Sequence, residues 1–483
     1  MKAHFFDEPE LEFGGGRHID IRFGLTTYGP LDAASDMAPK CVRLGIVGDS
    51  ASIDEFVAWV DRCRLGIAPK ESRLVTLYPG FPGFGNGGSF CDFIHDPQLT
   101  RTIPSHRLEQ FAAIEDRNDL VRQSVDHYAS EVEHLFETTS ADVAVCLLSP
   151  IILKRIDISG SVRSGPRSRR RTSTSSAEHS IIWHDYLKAK CLRLKRPIQV
   201  ARPGTYGGKV QRYHQDGTAS REVEDEATRA WNFFTALYYK AGGVPWRLVR
   251  KASDYATCYV GVSYFYEIGN DDVQVSVAQI FNERGEGVVV RGGPAKVIKE
   301  DKTVHLTEED SQALITRALE LYKREHGNLP ARAVCHKSSY FSDEEKAGFE
   351  DGIRQFDIDH WDLMSVRKSL SRFYRRKPNP PLRGTAVQLD DDHALLYTQG
   401  SIDFYRAYPG LYVPRPVEFQ FDRIQRAANY LLPEALALTK MNWNSTRFVN
   451  SEPITVAASR NVGEVLRYLQ SSDPIQARYS HYI

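Results

Sequence analysis

The stretch from Asp142 to Leu148, DVAVCLL, sets six apolar residues in a row and stops at Ser149-Pro150. A run this short and this apolar reads as a central parallel strand covered on both faces. Such a strand needs helices on both sides of its sheet, so the chain around it must alternate strand and helix. It does. Val42 to Val47 reads as a strand, Gly48-Asp49-Ser50 as turn and N-cap, and Ile53 to Cys63 as an amphipathic helix. A longer helix that Asn118 could cap runs to about Thr138 and leads into the central strand.

This alternation makes the first half Rossmann-like α/β. Ahead of it, residues 17–32, RHIDIRFGLTTYGPLD, begin with alternating apolar residues and end in a Gly-Pro turn, as an edge strand and its exit would. Leu77 to Gly88, LYPGFPGFGNGG, is a loop by composition; it could bind, although a structural loop is the simpler reading. Ser159 to Ser176, with five arginines, nine serines and threonines and no acid, reads as a basic surface loop (159–178). Such loops are usually only solubilising, and this one could also touch a nucleic-acid backbone.

Composition excludes several classes. With 483 residues and 41% hydrophobic content there is room for two to four domains with real cores. Lys plus Arg equal Asp plus Glu at 62 each, so a nucleic-acid site must be a local patch rather than a global field. Seven cysteines without a C-x-x-C pair read as incidental thiols of a reducing compartment. The start MKAHFFDEPELEF has no secretory pattern and no window approaches a membrane span, so a cytoplasmic location is expected.

The local patch lies at His184 to Gln199, HDYLKAKCLRLKRPIQ. The apolar residues between Asp185 and Arg196 recur at helical spacing, and His184 and Lys188, four apart, then share a helix face. Lys190, Arg193, Lys195 and Arg196 follow, Pro197 ends the helix, and Ile198-Gln199-Val200 reads as a short buried strand. A helix from about Glu222 ends at Lys240, just before Gly242-Gly243. Imidazole, two ammonium groups and an amide form a donor set suited to a terminal phosphate. On pattern alone, a basic helix is also what a solvated face looks like, and Lys240 what a helix dipole attracts.

The second half opens with strands in succession: Ala256 to Phe265, Val273 to Asn282 and Gly287 to Gly292, the first two joined through Gly269-Asn270-Asp271. Thr307 caps a helix with Asp310 at the capping-box position, the helix runs to about His326, and Ala331 to His336 returns as a buried strand. Three meandering strands and a helix are how a ribonuclease H-like fold begins.

Two resemblances bring these halves together. His184, Lys188, Gln199 and Lys240 have the spacing of the pocket by which the MID domain of Argonaute proteins holds a guide 5'-phosphate, in the His-Lys variant of short prokaryotic Argonautes. The second half resembles an Argonaute PIWI domain, with Thr439 to Ala458, TKMNWNSTRFVNSEPITVAA, similar to its C-terminal segment before a closing helix at Val462 to Leu469. Short Argonautes also carry a segment like Phe23-Gly24-Leu25 through Leu31. The division implied is a lead-in at 1–35, a MID domain at 36–225 and a PIWI domain at 226–483.

The resemblance implies a two-metal nuclease site, which needs converging carboxylates. Its first aspartate would fall at Ser263 in Gly261-Val262-Ser263 and its second at Ser338, after His336-Lys337. The last ligand would fall near Ala457 to Ser459, and Glu283 or Glu286 is the remaining acidic candidate. Serine cannot replace an anionic bridging ligand, so the nuclease site is expected to be inactive. The chain then resembles a short Argonaute that binds a guide RNA and a single-stranded DNA target without cleaving it. In that family an APAZ-containing partner carries a sirtuin-like or TIR NADase, whose activation depletes NAD in defence against plasmids and phages. Further nucleic-acid contacts are expected from Lys190, Arg202, Lys209 and Arg212, and a structural Mg at the guide phosphate from the C-terminal carboxylate of Ile483. Phe404, Tyr405 and Tyr408 are possible partner anchors. One rival is an active guided nuclease using Asp254, Glu267 or Asp362; another, a small-ligand enzyme on the Rossmann-like half, has no G-x-G-x-x-G or Walker lysine to support it.

Overall fold

The structure is a computed structural model and describes residues 1–85, 88–159, 180–208, 223–250, 254–268, 274–281, 285, 287–297, 304–374, 380–410, 413–470 and 472–483. It divides into a smaller unit, 39–70 with 80–242, and a larger one, 1–38 and 71–79 with 243–483. The helix Glu226–Lys240 thus falls with the first half, beyond the boundary read at residue 225, and the lead-in falls with the second. Most of the basic loop at 159–178 lies outside the described residues, as do Gly269-Asn270-Asp271, Glu283 and Glu286.

The smaller unit is a parallel sheet in the order Asp92–Thr102, Cys41–Gly48, Val143–Leu147, Ile198–Ala201. Every residue of Val143–Leu147 is buried, as its apolar run requires. Asp49 caps the helix Ser50–Arg64 by accepting from the Ser52 N–H at 3.0 Å. The helix Arg117–Thr138 begins two residues earlier than expected: Asp116 is its cap, accepting from Asp119 N–H at 2.7 Å. Asn118 lies inside the first turn, where its amide oxygen takes the Ile181 N–H at 3.0 Å. From Gly80 onward the Gly-Pro-Phe loop is structural, because Phe81, Phe84 and Phe90 are buried against Trp231 and Phe234 of the helix Glu226–Lys240 or against Phe93.

The larger unit carries a ten-stranded sheet in the order Lys2–Phe5, Thr385–Gln388, His393–Leu396, Val417–Arg423, His360–Lys368, Arg332–Lys337, Thr257–Tyr266, Gln274–Phe281, Gly287–Val297, Val304–His305. The expected meander is its antiparallel edge region, and Arg332–Lys337 joins Thr257–Tyr266 in parallel, after the helix Glu308–His326. Cys258, Val260 and Val262 face one side, where Leu314, Ile315 and Phe349 of the helices Glu308–His326 and Asp343–Arg354 close a core. Because strand residues alternate faces, Gly261 points the other way, toward the helix Ile454–Leu466. A Cβ on Gly261 would lie 2.0 Å from the Thr455 carbonyl oxygen, so glycine is what allows that helix to approach.

Three local expectations change. Residues 17–32 form only the short strand Arg17–His18 and then the helix Ile21–Tyr28, since the Asp20 carboxylate accepts from the Arg22 and Phe23 N–H groups and starts a helix. The closing helix is Ile454–Leu466 and begins eight residues before Val462, so Ala457 to Ser459 are helical. Tyr405 is a core residue whose hydroxyl donates to Asp20, and the half-buried Phe404 packs against the small cluster it forms with Ile402 and Phe448. Among the described residues no helix is long and apolar enough to cross a membrane.

Candidate functional site

The helix Trp183–Cys191 carries His184 and Lys188, the strand Ile198–Ala201 carries Gln199, and Lys240 ends the helix Glu226–Lys240. The first helix stops at Cys191 rather than reaching Pro197. Beyond it, Arg196 turns back to donate to the Phe136, Thr139 and Ala141 carbonyls at the end of the helix Arg117–Thr138. Arg193 pairs with Glu133.

Three of the four expected residues, Lys188, Gln199 and Lys240, meet around one backbone oxygen. Lys188 Nζ donates to the Ile198 carbonyl at 2.9 Å and Lys240 Nζ donates to the same oxygen at 3.0 Å. Lys240 Nζ also donates to Gln199 Oε1, and the Gln199 amide donates to the Val200 carbonyl at 3.1 Å. Lys188 is 1% and Lys240 4% exposed. Burial holds the Lys188 ammonium down to about 8; burial, and then the charge of Lys188, holds Lys240 well below the ordinary lysine range. His184 keeps 35% of its side chain exposed, and its Nδ1 meets Asp185 Oδ1 at 2.8 Å. Desolvation lowers the imidazole's pKa, while the Asp185 carboxylate opposes the effect.

Other expected contacts fall around this pocket. Lys190 pairs with Asp126 at 2.9 Å and lies over the Tyr186 ring at 5.2 Å, an exposed pairing that leaves it available. Arg202 is the N-cap residue of the short helix Pro203–Tyr206 and contributes positive potential at His184. Lys209 and Arg212 lie outside the described residues. Ile483 belongs to the larger unit and is buried, two residues after the 3-10 turn Tyr479–His481. The Ile198 carbonyl, the shared acceptor, has no side-chain signal and was invisible to residue-type reasoning; Asp185 was visible as the neighbour of His184.

In the larger unit, Ser263 is buried on the strand Thr257–Tyr266 with its hydroxyl unpartnered among the described residues. Ser338 follows the strand Arg332–Lys337 and donates its N–H to the Val262 carbonyl at 3.0 Å. His336 Nδ1 meets Thr455 Oγ1 at 2.8 Å, and burial lowers its pKa to about 3. On the opposite face the Lys337 ammonium, fully buried, pairs with Glu345, which also accepts from Tyr264, Leu306 N–H and Ser342 N–H and meets His305. Two of the three rival acids, Asp362 and Glu267, are engaged elsewhere. Asp362 takes two bonds from Arg332, at 2.9 and 2.7 Å, and the N–H groups of Gln425 and Arg426, while Glu267 pairs with Arg291 at 2.6 Å. Among the described residues no three His, Cys, Asp or Glu side chains group as metal ligands.

No protein-family profile matches the chain, and no curated protein matches it. Solved structures do. The chain superposes on Clostridium butyricum Argonaute bound to a guide DNA (5' deoxycytidine) and a 19-mer target DNA, with TM-score 0.64 and 13% identity over 99% of this chain and 54% of that one. A. aeolicus Argonaute gives 0.58 and 14% over 100% and 56%, and Drosophila Piwi 0.59 and 10% over 99% and 56%. The chain therefore has an Argonaute-like fold, a Rossmann-like α/β unit and a ribonuclease H-like α/β unit. It spans little more than half the length of these structures.

Proposed function

We propose that the chain is a guide-strand-binding protein of the short Argonaute kind, in which the smaller unit holds the 5'-phosphate of a guide RNA and the protein recognises complementary single-stranded DNA. The observation that carries this reading is the meeting of Lys188 and Lys240, from two helices, on one carbonyl beside Gln199. Two buried amino groups converging on one oxygen beside a side-chain amide are a donor set suited to a terminal phosphate. His184, half exposed at the rim, adds a further donor. A Mg ion at the phosphate, with the Ile483 carboxylate as its protein ligand, belongs to the same reading.

Cleavage is not part of it. Ser263 and Ser338 stand where the resemblance requires aspartates, and Asp362 and Glu267 are committed to arginines. Target recognition instead activates an APAZ-containing effector with a sirtuin-like or TIR NADase, a role in defence by NAD depletion. The test is to purify the protein with what accompanies it, then extract, end-label and sequence the bound nucleic acid. Short 5'-phosphorylated RNAs, together with a complementary DNA that stays intact with magnesium or manganese, support the proposal. Divalent-dependent cleavage of the DNA restores the nuclease reading. Absence of nucleic acid from the folded complex removes the guide reading altogether.

A further inference from the structure

We infer that Arg426, held between two tyrosine rings at one end of the large sheet, is a contact site for single-stranded nucleic acid: its guanidinium takes a phosphodiester, and a neighbouring base stacks on the His360–Tyr255 pair. The site belongs to the larger unit. It extends the guide-and-target reading, and its failure is separable from that of the Lys188–Lys240 pocket.

The side chains form a column in which each touches the next. The His360 and Tyr255 rings stack at 4.5 Å and 19°, the Arg426 guanidinium lies 5.2 Å from the Tyr255 centroid and 4.7 Å from that of Tyr430, and Arg332 lies 5.4 Å from Tyr430. The column has a fixed root. Arg332 is buried and paired with Asp362 and Glu434, and Asp362 also accepts from the backbone N–H groups of Gln425 and Arg426, so the segment carrying Arg426 is tied to the same carboxylate. Its other members reach the surface: Tyr255 is 38% exposed, and His360, Arg426 and Tyr430 are half-buried. Among the described residues the Arg426 guanidinium makes no hydrogen bond and no ion pair, although it carries five N–H donors. Rings packed against a guanidinium leave its N–H edges for an acceptor, and those edges fit a phosphate. The aromatic partners favour a nucleic acid over an acidic peptide, because every base has a face to stack. Thr257, Arg332 and His360 are register partners at the starts of three adjacent parallel strands, whereas Ser338 follows the far end, about 20 Å along the sheet. A strand bound here therefore lies away from the Ser263 and Ser338 positions.

The test is fluorescence anisotropy of the full chain with a labelled 5'-hydroxyl oligothymidine of about 12 nucleotides, which does not engage a 5'-phosphate pocket. Arg426→Ala and His360→Ala should each weaken binding about tenfold, and Arg426→Ala should make the log–log salt dependence shallower by about 0.7, the share of one phosphate on a single strand. Should Arg426→Ala not fold, Arg426→Lys stands in, with a loss in the same direction because the stacked, planar edge is gone. Unchanged affinity in the Arg426 variant, or in His360→Ala, overturns the inference. So does an equal loss for a blunt duplex of the same length. Displacement of the strand by equimolar thymidine monophosphate assigns the site to a free nucleotide instead, and Arg426-dependent binding of oligoglutamate without binding of the strand assigns it to an acidic protein partner. Equal binding of 5'-phosphorylated and 5'-hydroxyl strands by the natural chain counts against the Lys188–Lys240 pocket and not against this site.

Discussion

Lys188 and Lys240, carried on different helices, donate to the same backbone oxygen of Ile198. The pocket therefore depends on the register of the strand Ile198–Ala201 against Val143–Leu147 as much as on the two side chains. Charge reversal of both, Lys188→Glu with Lys240→Glu, should abolish discrimination between 5'-phosphorylated and 5'-hydroxyl strands in a filter-binding comparison; an unaltered preference refutes the assignment. His184→Ala should cost only about 1 to 2 kcal/mol, the scale of one charge-assisted hydrogen bond.

Glu345 is the hub of the buried cluster beside Ser338. Glu345→Gln keeps the shape but leaves the fully buried Lys337 ammonium without its counter-charge, and should lower stability by about 3 to 5 kcal/mol. Adding Lys337→Met to that variant should recover much of the loss. Urea unfolding of the two variants checks both, and equal stability of the single variant and the natural chain contradicts the argument.

The same carboxylate sets an acid limit. Although desolvation opposes ionisation, His305, Lys337 and the Leu306 N–H hold Glu345 down to about 2 from an ordinary 4.5. A depressed folded-state value contributes stability that is present above the unfolded value and disappears as pH falls, here from about 4.5 toward about 2. The contribution is on the order of 3 kcal/mol. Denaturation midpoints measured across that window should drop for the natural chain, with a shallower drop for Glu345→Gln.

Gly261→Ala tests the seam between the strand Thr257–Tyr266 and the helix Ile454–Leu466. The added methyl would meet backbone rather than a movable side chain, so the expected loss is about 3 kcal/mol, at the upper end of overpacking costs. A thermal midpoint unchanged from the natural chain would mean the helix can back away.

What the sequence disclosed and what it hid have physical reasons. Val143–Leu147 was legible because burial on both faces writes an uninterrupted apolar run, and Thr307 because its cap acts within one turn. Lys188, Gln199 and Lys240 were legible by type and spacing, and their side chains meet at the Ile198 carbonyl or beside it. Asp20 was missed as a helix start because Ile19 and Ile21 around it mimic strand alternation. The stop at Cys191 was missed because Arg196 finds its acceptors on a distant helix. The close approach of Ile454–Leu466 to the sheet depends on Gly261, almost two hundred residues earlier, and no local window carries that contact.

The first strand of the chain, Lys2–Phe5, pairs with Thr385–Gln388, whereas all four sheet strands of the smaller unit lie between Cys41 and Ala201. During synthesis the smaller unit can close its sheet while most of the larger unit is still unmade. The opening strand meanwhile has to wait, unpaired, until the ribosome has delivered residue 388. An exposed strand edge held open for that long is where a nascent chain of this kind is most open to mispairing and to chaperone capture.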